Sequence, residues 1–247
     1  PYSALAVIPV YNHGAAITAT LAGVLAQGLP CLLVDDGSEP ECAQVLSGLA
    51  ATHPDTVSLL RLPDNQGKGT AVIAGLREAQ RRGYSHGLQI DADGQHATAD
   101  IGTFLALSRR DPAAVVTGQP IFDASVPKAR LYGRYATHVW VWINTLSFDI
   151  RDAMCGFRVY PLAPTLRLFD DVAIGRRMDF DVEVLVRLYW RGLRVVNLPT
   201  RVTYPADGVS HFDVLRDNLR ITWMHTRLFF GMLPRAPMLV WRKVARS

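Results

Sequence analysis

The sequence predicts an α/β fold, a mostly parallel sheet flanked by helices, followed by a C-terminal amphipathic helical tail. Three observations carry this. Short apolar runs rich in β-branched residues alternate with helical patterns of about a dozen residues. Glycine and proline punctuate the junctions, and polar residues gather just after the apolar runs. Parallel strands need crossovers, so this alternation implies a sheet covered by helices on both faces.

The run ALAVIPV (4–10) reads as a buried first strand, closed by Tyr11, Asn12, His13 and Gly14. Ile17, Leu21, Val24 and Leu25 then recur at helical spacing until Gly28 and Pro30. CLLV (31–34) is a second strand ending in Asp35, Asp36, Gly37 and Ser38, and Leu46 and Leu49 mark the next helix. VSLLRL (57–62) is a third strand, and 69–82 a helix stopped by Gly83. HGLQI (86–90) is a fourth strand that delivers the chain into DADGQ (91–95). Further strands are AAVVTG (113–118), GFRVY (156–160) and RVVNLPTRVTY (194–204), the last with Pro199 near an edge. Residues 131–148 form an aromatic-rich helix. Its Tyr135, Trp140, Trp142 and Phe148 read as core, with an acceptor-sugar platform as the alternative. Val182, Leu185, Val186 and Tyr189 make a helical face over 179–191, ended by Gly192.

A chain of 247 residues, 49% hydrophobic and 19% charged, has room for one catalytic domain, read as 1–205, with an extension over 206–247. The formal charge of +4 is uneven: from residue 201 onward there are 8 Lys and Arg against 3 Asp, whereas the first 200 residues carry 18 basic and 19 acidic side chains. The basic character therefore belongs to the tail, and a domain of net charge −1 argues against nucleic acid as a partner. In the tail, Phe212, Leu215, Leu219, Trp223, Phe230 and Leu233 fall near one helical face, with Arg216 and Arg220 off it. That is the composition of a helix lying at an anionic membrane surface, the alternative being a helix packed on the domain. No apolar run reaches the roughly 18 residues of a membrane span, and no signal-type leader opens the chain. Opening at Pro1 without a methionine, it reads as a piece of something longer. Cys31, Cys42 and Cys155 form no CxxC pair, which fits a reducing compartment. The expected location is cytoplasmic, peripheral at the inner face of the cytoplasmic membrane.

The polar residues sit at strand ends, where open α/β sheets bind ligands. In DADGQ, Asp91 and Asp93 are two apart with Gln95 two further on, hard oxygen ligands suited to Mg²⁺ or Mn²⁺ shared with substrate phosphates. His96 beside them reads as a loop or supporting residue. Asp36, with Asp35, can accept hydrogen bonds from a nucleobase or ribose, and Pro9 and Tyr11 offer a flat surface after the first strand, where Asn12 also lies. NQGKG (65–69) places Lys68 and a following helix N-terminus in a phosphate-binding context without the Walker spacing. GxGxxG is absent after the first strand, which makes a dinucleotide-dependent oxidoreductase a poorer rival.

VIPVYN, VDDGS, NQGKGTA, DADGQ and DAMCGFR occur in the order and spacing of family 2 glycosyltransferases of GT-A fold. Over about residues 5–212 the chain resembles their polyprenyl- and dolichol-phosphate sugar synthases. The resemblance implies that Pro9, Tyr11, Val34 and Asp36 hold a nucleoside, and that Asp91, Ala92, Asp93 and Gln95 surround the metal and diphosphate. It implies transfer of a hexose, usually with inversion, from a UDP-sugar or GDP-sugar to a lipid-linked or membrane-associated acceptor. Arg158, with Arg130 or Arg134, is a candidate for diphosphate. If the acceptor is a hydroxyl it needs a carboxylate base, for which Asp152 and Asp179 or Asp181 are the candidates.

The chain also departs from the family. His13 replaces a glutamate, Gln119 and Pro120 follow Gly118 where GSR is expected, and PADGVSH replaces RxxGxSK, with Pro205 and His211 at the cationic positions. Arg201 and His211 are then the remaining candidates for an acceptor phosphate. The SHF and RLFFGMLPR segments are similar to those of bacterial relatives found beside or fused to lipid acyltransferases, an expected partner. The rival expectation is a non-catalytic nucleotide-sugar-binding module that recruits a partner to the membrane.

Overall fold

The computed structural model describes residues 1–122, 126, 128–203 and 214–245, with 128–130 and 214 described by backbone alone. The chain begins as expected: β1 (Ala4–Val10), α1 (Gly14–Leu25), β2 (Cys31–Asp35), α2 (Pro40–Thr52), β3 (Val57–Arg61), α3 (Lys68–Arg81) and β4 (His86–Gln89). Then come α4 (Ile101–Arg110), β5 (Val115–Phe122), α5 (Lys128–Thr145), β6 (Arg158–Pro161), α6 (Leu162–Asp171), α7 (Phe180–Trp190) and β7 (Val195–Val202). Helices α8 (Val214–Met232) and α9 (Ala236–Val244) follow. The expected boundary at 205/206 lies outside the described residues.

The seven strands make one sheet in the order β3-β2-β1-β4-β6-β5-β7. Parallel pairing joins β3, β2, β1 and β4, and also β5 and β7, whereas β6 runs antiparallel to both β4 and β5. The strand order reverses between β1 and β4, which opens a crevice at their carboxyl ends. Because β6 is reversed, its first residue, Arg158, pairs with Gln89 at that same edge. The preceding loop is thereby delivered to the crevice.

Period-two alternation along β1 sends Leu5 and Val7 to one face and Ala6 and Ile8 to the other. The first face packs with Val72 and Leu76 of α3, Leu166 of α6 and Leu185 of α7. The second packs with Ile17 and Leu21 of α1, Leu46 of α2 and Phe104 of α4. Full burial of one such side chain is worth about 1.5–3 kcal/mol, so these two layers hold the sheet rigid beneath its loops.

The α8 helix joins the first layer. Met224, Leu228 and Met232 are buried in it, as is Leu239 of α9. Arg227 of α8 also reaches the fully buried Glu183 of α7 at 3.2 Å, where Arg187 and the Gly175 amide converge as well. The amphipathic tail is thus packed through one face while Leu215, Leu219, Trp223, Phe230 and Leu233 point outward. Phe212 lies outside the described residues. For α5, the reading of its aromatics as core is corrected. Trp142 is partly buried and donates to the Ile150 carbonyl, but Tyr135, Trp140 and Phe148 are exposed. Periodicity identified a helix face, but not which side of it the protein covers. None of the described helices is long and apolar enough to cross a membrane.

Candidate active site

Four loops converge on the carboxyl edge of the sheet. After β1, Asn12 takes a positive φ of 55°, which asparagine tolerates better than most residues. Its carboxamide oxygen accepts the Glu39 amide at 2.9 Å, and its own N–H donates to Ser38 Oγ at 3.1 Å. Asn12 therefore ties the β1 loop to the β2 loop. Pro9 and Val34 are buried register partners directly beneath, and Tyr11 is partly exposed above them.

The two aspartates after β2 divide their work. Asp35 is buried, accepts the Ser38 amide at 2.8 Å and pairs with Arg61, so it closes the turn. Asp36 accepts the amides of Gln66 and Gly67, each at 2.9 Å. Burial raises its pKa despite those two bonds. Arg177, joined to Asn65 at 3.1 Å, supplies positive potential beside it. Gly67 adopts φ 98°, and a Cβ there would meet the Arg176 carbonyl at 2.4 Å, so the NQGKG loop fits only with glycine.

From that loop, at the start of α3, Lys68 reaches across the crevice. Its Nζ lies 2.8 Å from Asp91 Oδ1 and 2.7 Å from Asp181 Oδ2. Burial opposes the charge on Lys68, but the two carboxylates more than restore it and raise its pKa. Burial likewise works against ionised Asp91, yet Lys68 and His96 hold that carboxyl well below the usual range. For Asp93, burial and the neighbouring Asp91 charge push the pKa up. The Gln95 amide donates to Asp93 Oδ1 at 3.1 Å and orients it, while Ala92 between the two aspartates is buried.

Asp91 Oδ1 is buried and, among the described residues, accepts no aligned hydrogen bond, its one close cation being Lys68 Nζ at 2.8 Å. No cluster of three His, Cys, Asp or Glu occurs among the described residues. A divalent cation bound by one or two carboxylates that draws its remaining ligands from a diphosphate and water needs no such cluster, so the residues present fit Mg²⁺ or Mn²⁺. Gly156 lies against the same carboxylate, since a Cβ on it would stand 2.2 Å from Asp91 Oδ2.

Asp181 is fixed further by Gln89, whose Nε2 donates to Oδ1 at 3.0 Å, and Tyr160 OH donates to Gln89 Oε1 at 3.1 Å. Arg158, with no exposed surface, donates to the carbonyls of Asp181 and Ala153 and to Thr117 Oγ1. In this arrangement it secures α7 and the 151–157 loop. Asp152 is buried and accepts Arg134 at 2.5 and 2.9 Å, with His138 Nε2 at 3.2 Å. It also accepts the amides of Met154 and Cys155, closing the turn that ends at Gly156. Burial opposes its charge, but His138 and Arg134 hold its carboxyl well below the ordinary range. Asp179 accepts the Arg177 amide at 3.1 Å, ordering the loop before α7.

Arg201 is exposed on β7 opposite Ile121, and its neighbour Val202 bridges His96 while the Thr203 amide donates to Gln95 O at 3.0 Å. The end of β7 therefore flanks the acidic loop. The Arg130 side chain and His211 lie outside what is described. Gln89, Tyr160 and His138 belong to the constellation, but no local motif marks them. They enter through pairings 92, 71 and 14 residues apart or through strand register.

Comparison with known proteins agrees with this architecture. The family model described as Glycosyl transferase family 2 matches residues 5–176. A polyprenol monophosphomannose synthase of Mycolicibacterium smegmatis is 29% identical over 83% of this chain and 79% of that one. An undecaprenyl-phosphate mannosyltransferase of Micrococcus luteus is 30% identical over 92% of this chain and 99% of that one. Among solved structures, glucosyl-3-phosphoglycerate synthase from Mycobacterium tuberculosis, in complex with Mn²⁺, UDP-glucose and phosphoglyceric acid, superposes with a TM-score of 0.65. It is 13% identical and covers 94% of this chain and 79% of that one, a likeness of fold that identifies the GT-A architecture.

Proposed function

Because the chain belongs to glycosyl transferase family 2, we propose that it moves a hexose, with inversion, from a UDP-sugar or secondarily a GDP-sugar to a lipid-linked acceptor phosphate. The membrane would be the inner face of the cytoplasmic membrane, in keeping with the basic tail and with relatives whose names specify polyprenol and undecaprenyl phosphate.

In this reading the nucleoside rests on Tyr11 over Pro9 and Val34, and Asp36 receives hydrogen bonds from its base or ribose. The diphosphate lies between Lys68 and the Asp91–Asp93 pair, with Gln95 beside it. Bound Mg²⁺ or Mn²⁺, held by Asp91 and Asp93, supplies positive charge to the departing diphosphate. Arg201, exposed on β7, is assigned to the acceptor side, with Arg134 beside it held against Asp152. Catalysis would come mainly from placing the sugar between diphosphate and acceptor and from countering the charge that develops.

One observation supports a phosphate rather than a hydroxyl nucleophile. The carboxylates that could serve as a base are already committed: Asp152 to Arg134 and His138, Asp181 to Lys68 and Gln89, and Asp179 to the Arg177 amide. Asp152, held ionised by Arg134 and His138, is a poor proton acceptor, whereas a phosphate monoester near neutral pH needs no base. The test is nucleotide release with UDP- and GDP-sugars, Mn²⁺ and short-chain prenyl phosphate, set against the matching prenyl alcohol. Release with the alcohol alone overturns the acceptor assignment. Unchanged metal-dependent donor binding in the Asp91→Asn/Asp93→Asn protein overturns the donor site.

A further inference from the structure

The outer face of α5 departs from the rest of the surface. Tyr132, Gly133, Tyr135, Ala136, Val139, Trp140 and Ile143 are all exposed, and no charged residue is exposed among them between 132 and 143. On α3, by contrast, the exposed positions are Arg77, Gln80 and Arg81. Tyr132 has 71% of its surface in solvent and Trp140 43%, a large apolar area to leave uncovered.

This face continues onto α8. The Trp140 and His225 rings stack at 6.0 Å, Phe229 meets Trp140 edge-on at 6.4 Å, and Asn144 lies 3.4 Å from His225. At about 100° per residue, His225 and Phe229 face α5. Next round the helix come Leu215, Leu219, Phe230 and Trp223, and beyond them the exposed Arg216 and Arg220, while Arg227 turns inward to Glu183. The uncharged stripe of α8 therefore adjoins that of α5, with Arg216 and Arg220, the latter paired with Asp217, along the far edge. Leu215 is 72% and Trp223 62% exposed.

We propose that α5 and α8 together form a bilayer-docking face, so that the catalytic domain itself, through α5, lies on anionic lipid. The chemistry fits a membrane interface. Tyrosine and tryptophan rings suit the level of the headgroups, aliphatic side chains enter the acyl boundary, and flanking arginines meet lipid phosphate. The location fits too. Arg134, adjacent in sequence to Tyr135 on α5, pairs with Asp152, whose loop leads to Gly156 against Asp91. Docking α5 would bring the crevice to the surface where a lipid-borne phosphate is presented. The inference rests on the lipid-acceptor reading for its purpose, but its test requires no turnover.

The full chain is floated with phosphatidylcholine vesicles containing phosphatidylglycerol, beside Tyr132→Glu/Val139→Glu on α5 and Leu219→Glu/Trp223→Glu on α8. All three positions of folding, circular dichroism, melting temperature and elution volume, are compared first, since each change is at an exposed site. Each double variant is expected to lower vesicle partitioning about tenfold or more, and brominated acyl chains are expected to quench Trp140 and Trp223 fluorescence in the unmodified chain. Undiminished flotation of the α5 variant overturns the inference. So does a self-associated form in which the same α5 changes restore a monomer, since the face would then belong to a second copy. Transfer to a water-soluble prenyl phosphate separates the two readings. If it is kept while flotation fails, only the docking face falls; if it is absent while flotation holds, only the acceptor falls.

Discussion

Replacing Lys68 with methionine keeps the aliphatic stem and removes the ammonium that stands between Asp91 and Asp181. At about 4 Å between charge centres and an effective dielectric near 20, each ion pair has a gross attraction of about 4 kcal/mol. Desolvation of the three groups offsets much of this, and removing one partner of a buried pair costs roughly 3–5 kcal/mol. Lys68 and Asp91 keep side-chain exposures of 20% and 22%, so the lower end applies, about 3 kcal/mol. In a chain of 247 residues that corresponds to a melting temperature lower by roughly 6–12 °C. The freed carboxylates then favour a cation, and Mn²⁺ at about one hundred times its dissociation constant returns about 2.7 kcal/mol. Thermal unfolding at neutral pH, with and without Mn²⁺, reads both effects. Lys68→Met should melt well below the parent and gain more from Mn²⁺ than the parent does. A melting temperature within about 2 °C of the parent, or equal Mn²⁺ gains in both proteins, refutes the view that Lys68 counters these acids.

Gly156→Ala drives a methyl into the Asp91 carboxylate, so metal-dependent UDP binding should weaken about tenfold or more, read by calorimetry with and without Mn²⁺. Asp152→Asn leaves Arg134 and His138 without their anion and should cost about 3 kcal/mol at pH 7. Because the folded pKa of Asp152 is depressed, its contribution is full above the unfolded value near 4 and is lost as pH falls below it, so the variant should show a shallower acid limb in urea unfolding. Burial lowers the His225 pKa to about 4, so its neutral form stabilises the fold above about pH 6.5. That contribution, roughly 3 kcal/mol, is lost as pH falls toward 4, and amide exchange in α8 should accelerate over the same range unless His225→Gln removes the dependence.

The gathering of acidic strand ends at one edge was legible because each part is local. Asp36, Asp91 and Asp93 each follow an apolar run closely, Lys68 opens the helix after the third strand, and a parallel sheet gathers strand ends at one edge. The direction of β6 was not legible, since GFRVY is apolar whichever way it runs, and only its reversal carries Asp152 and Gly156 to the crevice. The partners of the acids were hidden for the same reason. Lys68 meets Asp181 across 113 residues, a pairing that no spacing rule contains. On α5 the period was readable but the buried side was not, because tryptophan and tyrosine serve core and interface equally.

The Glu183–Arg227 contact bears on how this chain can be divided and recombined. A cut between the last strand and α8 looks harmless in a linear map, where the basic segment reads as an accessory. It would strip a cation from a carboxylate that has no exposed surface and uncover the core seats of Met224 and Leu228. Shortened versions intended to retain the sugar-nucleotide chemistry therefore need α8, and so do chimeras that borrow the catalytic half. Descendants of this chain are expected to inherit the two halves as one unit, varying the outward residues of α8 while keeping its inward ones.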